Sequence, residues 1–132
     1  MASTADIAAK LQTAGVGTVG TNIFRGGTRV PSALIPEACI FVVPRGGIGP
    51  TPMVDGGSQD YSRPNVQVII RGNVGTYVTT QTTATSVLTA LHKSTISGYF
   101  QVLARTPEPL YVGLDDTEHP VFSVNVELYK LS

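Results

Sequence analysis

Side chains able to do chemistry are few in this chain, and they gather in one short turn. Asp115, Asp116, Glu118 and His119 form its only dense polar cluster, and grouped oxygen ligands of this kind are what calcium or magnesium requires. The spacing does not follow the EF-hand order, no second histidine stands at helical distance, and no carboxylate pair elsewhere completes a general acid/base site. An Asp-rich turn between two strands accounts for the cluster without a ligand. Gly15-Val16-Gly17-Thr18-Val19-Gly20 spells the dinucleotide fingerprint letter for letter. Its glycines, however, end a helix instead of following a strand and opening one, so the reading is a glycine C-cap. Arg45-Gly46-Gly47 lacks the Lys-Ser/Thr pair and the following helix of a phosphate-binding loop. Cys39 is the single cysteine and lies in an apolar run, where a small buried hydrophobe is the expectation. His92 ends a Thr-rich helix, where its charge would suit the C-terminal dipole. Neither an enzyme nor a cofactor or metal site is expected from these residues.

The bulk properties agree with that expectation. At 132 residues the chain is expected to be one domain with one core. Nine basic and nine acidic side chains cancel, so no long-range field draws it to nucleic acid or an anionic membrane. The start Met-Ala-Ser-Thr-Ala-Asp has neither the basic region nor the apolar core of a signal peptide, and cytoplasmic synthesis is expected.

Periodicity supplies the elements that must position these residues. Ser3 and Asp6 form a capping pair, and Ile7, Leu11 and Ala14 recur at helical spacing, predicting a helix over about 4–14. A loop containing Ile23-Phe24 leads to Ala38-Cys39-Ile40-Phe41-Val42-Val43, a strand apolar on both faces that Pro44 closes. Residues 45–64 hold five glycines and three prolines and read as a long flexible arm. In Asn65 to Gly72, Val66, Val68 and Ile70 alternate with Gln67, Ile69 and Arg71; in Val121 to Leu131, Phe122, Val124, Val126 and Leu128 alternate with Ser123, Asn125 and Glu127. A third strand covers about 99–105.

Between the second and third strands, about 75–92, helical spacing of Tyr77, Ala84, Val87, Leu88 and Leu91 is filled in by seven threonines, with no charge between Arg71 and Lys93. Thr and Gln leave only one apolar stripe, which argues against a membrane span. Threonine is a mediocre helix former, so packing must hold this helix. A face of Thr, Ser and Gln in place of Lys and Glu is best tolerated against another protein surface. The expected fold is α+β: a single four-stranded, mainly antiparallel sheet with two helices on one face and a long Gly/Pro-rich loop between the first two strands.

Arg63-Pro64-Asn65-Val66-Gln67-Val68-Ile69-Ile70-Arg71-Gly72, then Tyr77 opening a helix, then Leu110-Tyr111-Val112-Gly113-Leu114-Asp115-Asp116 and Phe122-Ser123-Val124-Asn125-Val126-Glu127 together resemble the tail-terminator or minor capsid (head-tail joining) proteins of long-tailed bacteriophages. The resemblance spans about residues 38–130. It departs from the common pattern in the helix, where charge is usual and threonine stands here. The expected organisation is a single domain over 1–132, with residues 1–37 as an N-terminal helix and loop ahead of a 38–131 core and 45–64 as a flexible arm. The resemblance implies a virion protein at the head-proximal end of the tail: a ring, usually of six copies, that stops polymerisation of the tail tube protein and offers a docking face to a head-completion or neck protein. Phage DNA would pass through the lumen without sequence-specific contact, and no membrane is involved. A neck connector, or a small binding domain or enzyme using the arm as a lid, are the alternative readings.

A closed ring needs two different patches that fit each other. Up to Arg71 the chain carries six basic and four acidic residues, and beyond it three basic and five acidic. The expectation is that the Asp115-Asp116-Glu118 turn of one copy meets arginines among Arg45, Arg63 and Arg71 of its neighbour, with Asn125 and Glu127 of the last strand as further contact surface.

Overall fold

The computed structural model describes residues 3–25, 38–52, 60–96, 99–114 and 118–131. The elements run α1 (Ser3–Thr13), β1 (Ile23–Arg25), β2 (Cys39–Pro52), β3 (Asp60–Arg71), α2 (Tyr77–Leu91), β4 (Gln101–Ala104), β5 (Leu110–Leu114) and β6 (Pro120–Leu131). The class is α+β, as expected, but the sheet has six strands and is mixed. Its order is β1-β2-β3-β6-β4, with β5 also on β6. The pairings of β2 with β3 and of β6 with β3, β4 and β5 are antiparallel, and β1 pairs parallel to β2. β4 and β5 share one edge of β6 end to end, β4 opposite Val126 to Tyr129 and β5 opposite Pro120 to Phe122 and Ser123.

The alternation read from sequence sets the register. Ile70 lies opposite Phe122, Val68 opposite Val124 and Val66 opposite Val126, so the apolar set of each strand shares one face. Against that face pack Ile7 and Leu11 of α1 and Ala84, Val87 and Leu91 of α2, all buried in one cluster with Ile40, Val42, Val102 and Leu128. α1 stops at Gly15, whose φ of +83° is readily available only to glycine. There Val16 N–H donates to Leu11 O at 3.1 Å and Gly15 N–H to Gln12 O at 3.0 Å, the paired closure of a Schellman end. The first fingerprint glycine thus caps a helix. Tyr99 Oη donates to Asp6 Oδ2 at 2.7 Å and ties α1 to the segment before β4.

Two expectations need correction. Pro44 does not close the second strand, which runs through it to Pro52, and residues 45–52 and 60–64 of the expected arm are strand, paired in a hairpin with register shifts after Pro44 and Ile48. The reason is local: among the described residues β1 accompanies β2 only as far as Val42, so no described strand pairs with Pro44 on that side and its missing N–H breaks no described ladder bond. Residues 53–59 lie outside the described set. The other correction is that β1 and β5 were read as loop and turn.

Candidate assembly surfaces

The sheet's outer face carries the polar half of the alternation, and its centre is Glu127. Standing opposite Asn65 on β3 and Leu103 on β4, its side chain is only 11% exposed. Burying a carboxylate requires compensating donors and cations. Arg105 Nη1 donates to Glu127 Oε2 at 3.3 Å, Tyr129 Oη donates to the same oxygen at 3.3 Å, and Arg63 Nε lies 3.8 Å from Oε1. Beside this group, Gln67 Nε2 donates to Ser123 Oγ at 2.8 Å. Arg45, Asn65, Gln67, Arg105 and Asn125 line a cleft of about 350 Å³, into which exposed Arg45 brings a cation with no ion pair among the described residues.

A second surface lies at the start of α2. Tyr77 and Tyr111 of β5 meet edge to face at 5.1 Å, and both rings contact buried Phe122, at 5.4 and 5.2 Å. Around this anchored pair Val74, Tyr77, Val78, Tyr111 and Leu114 are 45% to 71% exposed. Single exposed apolar residues are ordinary, whereas a cluster marks a contact site.

The rest of α2's outer face is polar in composition, and four of its hydroxyls bond within the helix. Thr82, Thr83, Thr85 and Ser86 each donate their hydroxyl to the carbonyl four residues back, at 2.9 to 3.2 Å. Buried Thr80 does the same to Thr76 O at 2.7 Å. This arrangement explains how a Thr-rich helix holds: packing of Thr80, Ala84, Val87 and Leu91 fixes it, and five of its hydroxyls find partners within it. Between this face and the end of α1 runs an open groove of about 570 Å³, lined by Ala14, Gln81, Thr82, Thr85, Ser86, Thr89 and Ala90.

The structure gathers Arg45, Arg63, Asn125 and Glu127 on one sheet face. It separates Arg71, which ends β3 beside Cys39 and lines a different cavity with Thr76 and Thr80. Glu118 is exposed, with a φ of +66°, whereas Asp115 and Asp116 lie outside the described residues. His119 is buried, and among the described residues no three of His, Cys, Asp and Glu could hold a metal. His92 acts as an acceptor, its Nδ1 receiving the Ala104 N–H at 3.1 Å. Arg105 and the Tyr77–Tyr111 pair were not singled out from sequence. The polar face of the third strand was the signal for Arg105; the apolar run Leu110 to Leu114 was the signal for the aromatic corner.

Three comparisons place these surfaces in context. A family model described as "Bacteriophage tail terminator protein" matches residues 10–130. No curated protein matches. Among solved structures, a chain of the "Virion of native gene transfer agent (GTA) particle" superposes with a TM-score of 0.69 at 10% identity, over 98% of this chain and 94% of that one.

Proposed function

This chain belongs to the bacteriophage tail terminator family, and we propose that it forms a ring at the head-proximal end of a long tail tube, where it ends tube polymerisation and presents the face that docks the head. The observation that carries this reading is the family match over 10–130, which takes in the core from Leu11 onward, α2, strands β1 to β5 and β6 up to Lys130. The fold shared with a chain of a virion particle supports it. So does the surface: a helix without charge and an exposed aromatic corner suit permanent burial against protein.

In this reading the ring contains six copies and encloses the DNA path, the tube protein lies on one side, and a head-completion or neck protein lies on the other. Arg45, exposed midway along β2 beside the register shift after Pro44, meets the neighbour's Asp115, Asp116 or Glu118. Arg63, Asn125 and Glu127 support it from within the same copy, and Arg71 faces the other end of the sheet. Deleting the gene and imaging the particles tests the assignment. Overlong tails without heads are expected; normal tails beside unsealed heads would place the protein in the neck instead.

A further inference from the structure

Charge on the sheet's outer face is unbalanced at one place. The described side chains that line or border the cleft of Arg45, Asn65, Gln67, Arg105 and Asn125 include three cations, Arg45, Arg63 and Arg105, and one anion, Glu127. Two positive charges are left unmatched there, in a chain whose formal charge is zero. Arg63 and Arg105 share the Glu127 carboxylate, and a guanidinium has five N–H donors, so Arg105 keeps several for a further acceptor.

The backbone brings Arg45 and Arg105 to opposite sides of one spot. Between the Pro44/Val66 and Gly47/Pro64 pairs, Arg45 and Gly46 of β2 stand against Asn65 alone, a bulge with Gly46 at a φ of +76°. Bulges recur beside functional sites, where they re-aim a side chain. On the other side Arg105 N–H donates to Asn125 O at 2.8 Å, which carries the pairing of β4 with β6 one residue past Ala104. β3 and β6 lie between, so β2 and β4 are three strand spacings apart, about 14 Å. In that space stand the carboxamides of Asn65, Gln67 and Asn125, of which Gln67 spends one N–H on Ser123 Oγ. Cations at both sides and amide donors between them suit a ligand rich in anionic oxygen.

We propose that this cleft is a binding site for a phosphate dianion, as free phosphate or as a phosphomonoester. Charge and donor number select it. Such a group carries about −1.5 to −2 at pH 7 on three or more acceptor oxygens, which matches the two unmatched cations. A single carboxylate brings one charge on two oxygens, and each phosphodiester of nucleic acid brings one charge. The donors come from four neighbouring strands, so the site needs neither the helix nor the Lys-Ser/Thr pair of a phosphate-binding loop. It also stands without the ring reading. Where both hold, Arg45 cannot serve the anion and a neighbour's carboxylates together, and the anion leaves as copies join.

The test is a titration of the ¹⁵N-labelled full chain with inorganic phosphate, read by nuclear magnetic resonance at fixed ionic strength so that general screening stays constant. Saturable shifts centred on Arg45, Asn65, Arg105 and Asn125 are expected, with a Kd on the order of 1 mM for a few charge-assisted contacts at an open site. Arg45→Ala should weaken binding at least about tenfold, Arg45→Lys, which keeps the charge and loses the fork, should fall between, and Lys10→Gln on α1 should change nothing. Acetate should bind at least about tenfold more weakly than phosphate. Adenosine monophosphate separates the two sources: equal affinity assigns the site to the phosphate alone, tighter binding to a monoester. Shifts that never saturate, that saturate equally in Arg45→Ala, or that acetate reproduces would overturn the site, as would duplex DNA that binds at these residues and that phosphate fails to displace. No tail tube enters these measurements, so the site and the ring reading fail separately.

Discussion

Replacing Glu127 by Gln keeps the shape of the side chain and removes its charge. The carboxylate is 11% exposed, with Arg105 and Tyr129 at 3.3 Å and Arg63 at 3.8 Å. Breaking a fully buried ion pair costs about 3–5 kcal/mol, and breaking an exposed one about 0–1 kcal/mol. Here the anion is buried while Arg63 and Arg105 are 34% and 51% exposed, so both cations keep water when the charge goes. The expected loss is therefore about 1–2 kcal/mol, or a fall in Tm of roughly 3–7 °C for a chain of this size. Urea unfolding of wild type, Glu127→Gln, Arg105→Ala and the double variant yields a cycle, and a coupling of about 0.5–1 kcal/mol is expected. Arg45→Ala, exposed and without an ion pair among the described residues, should stay within about 0.5 kcal/mol of wild type. Additive effects at 127 and 105, to within about 0.3 kcal/mol, would refute the claim that Glu127 holds the sheet's outer face together, and would return it to the set of contact residues.

Gly72→Ala should destabilise by about 1–3 kcal/mol, since a Cβ there would stand 2.9 Å from Thr80 Cβ and against its hydroxyl; chemical denaturation measures it, and Thr80→Ala should recover part of the loss. Phe122→Ala should cost about 3–5 kcal/mol and also free the Tyr77 and Tyr111 rings, visible as lost near-ultraviolet circular dichroism. Reversing the charges at Asp115 and Asp116 should block ring formation on tubes with no change in monomer unfolding. Cys39, 3% exposed, should react with a thiol reagent only as fast as the protein unfolds.

Much of the fold was legible because burial writes a period into the sequence. β3 and β6 each have one covered face, and their alternation yields both the inward set and its register. α1 and α2 were legible from apolar spacing, and the end of α1 from Gly15. Three-residue β1 is too short to show any period, and its parallel pairing with β2 is a tertiary fact. β5 escaped because an edge strand with exposed Leu110, Tyr111, Val112 and Leu114 presents no polar alternation to read. Pro44 misled because proline's effect depends on whether the strand has a neighbour at that position. The site was less legible than the fold. Glu127 and Asn125 stood out as outward residues, but an outward side chain on a central strand can be covered by long neighbours, as Arg63 and Arg105 cover Glu127.

The place of β6 in the sheet has a consequence for biogenesis. It joins β3 on one side to β4 and β5 on the other, yet follows every one of them in the chain. Its pairings with β3 link residues such as Val68 and Val124, so the core face cannot close until β6 has been made, and such long-range pairing is slow to form. A nascent chain on the ribosome thus holds its helices against an open half-sheet. Completion of β6 is therefore the step that closes the core face, and a chain that lacks it is left with β3, β4 and β5 unjoined.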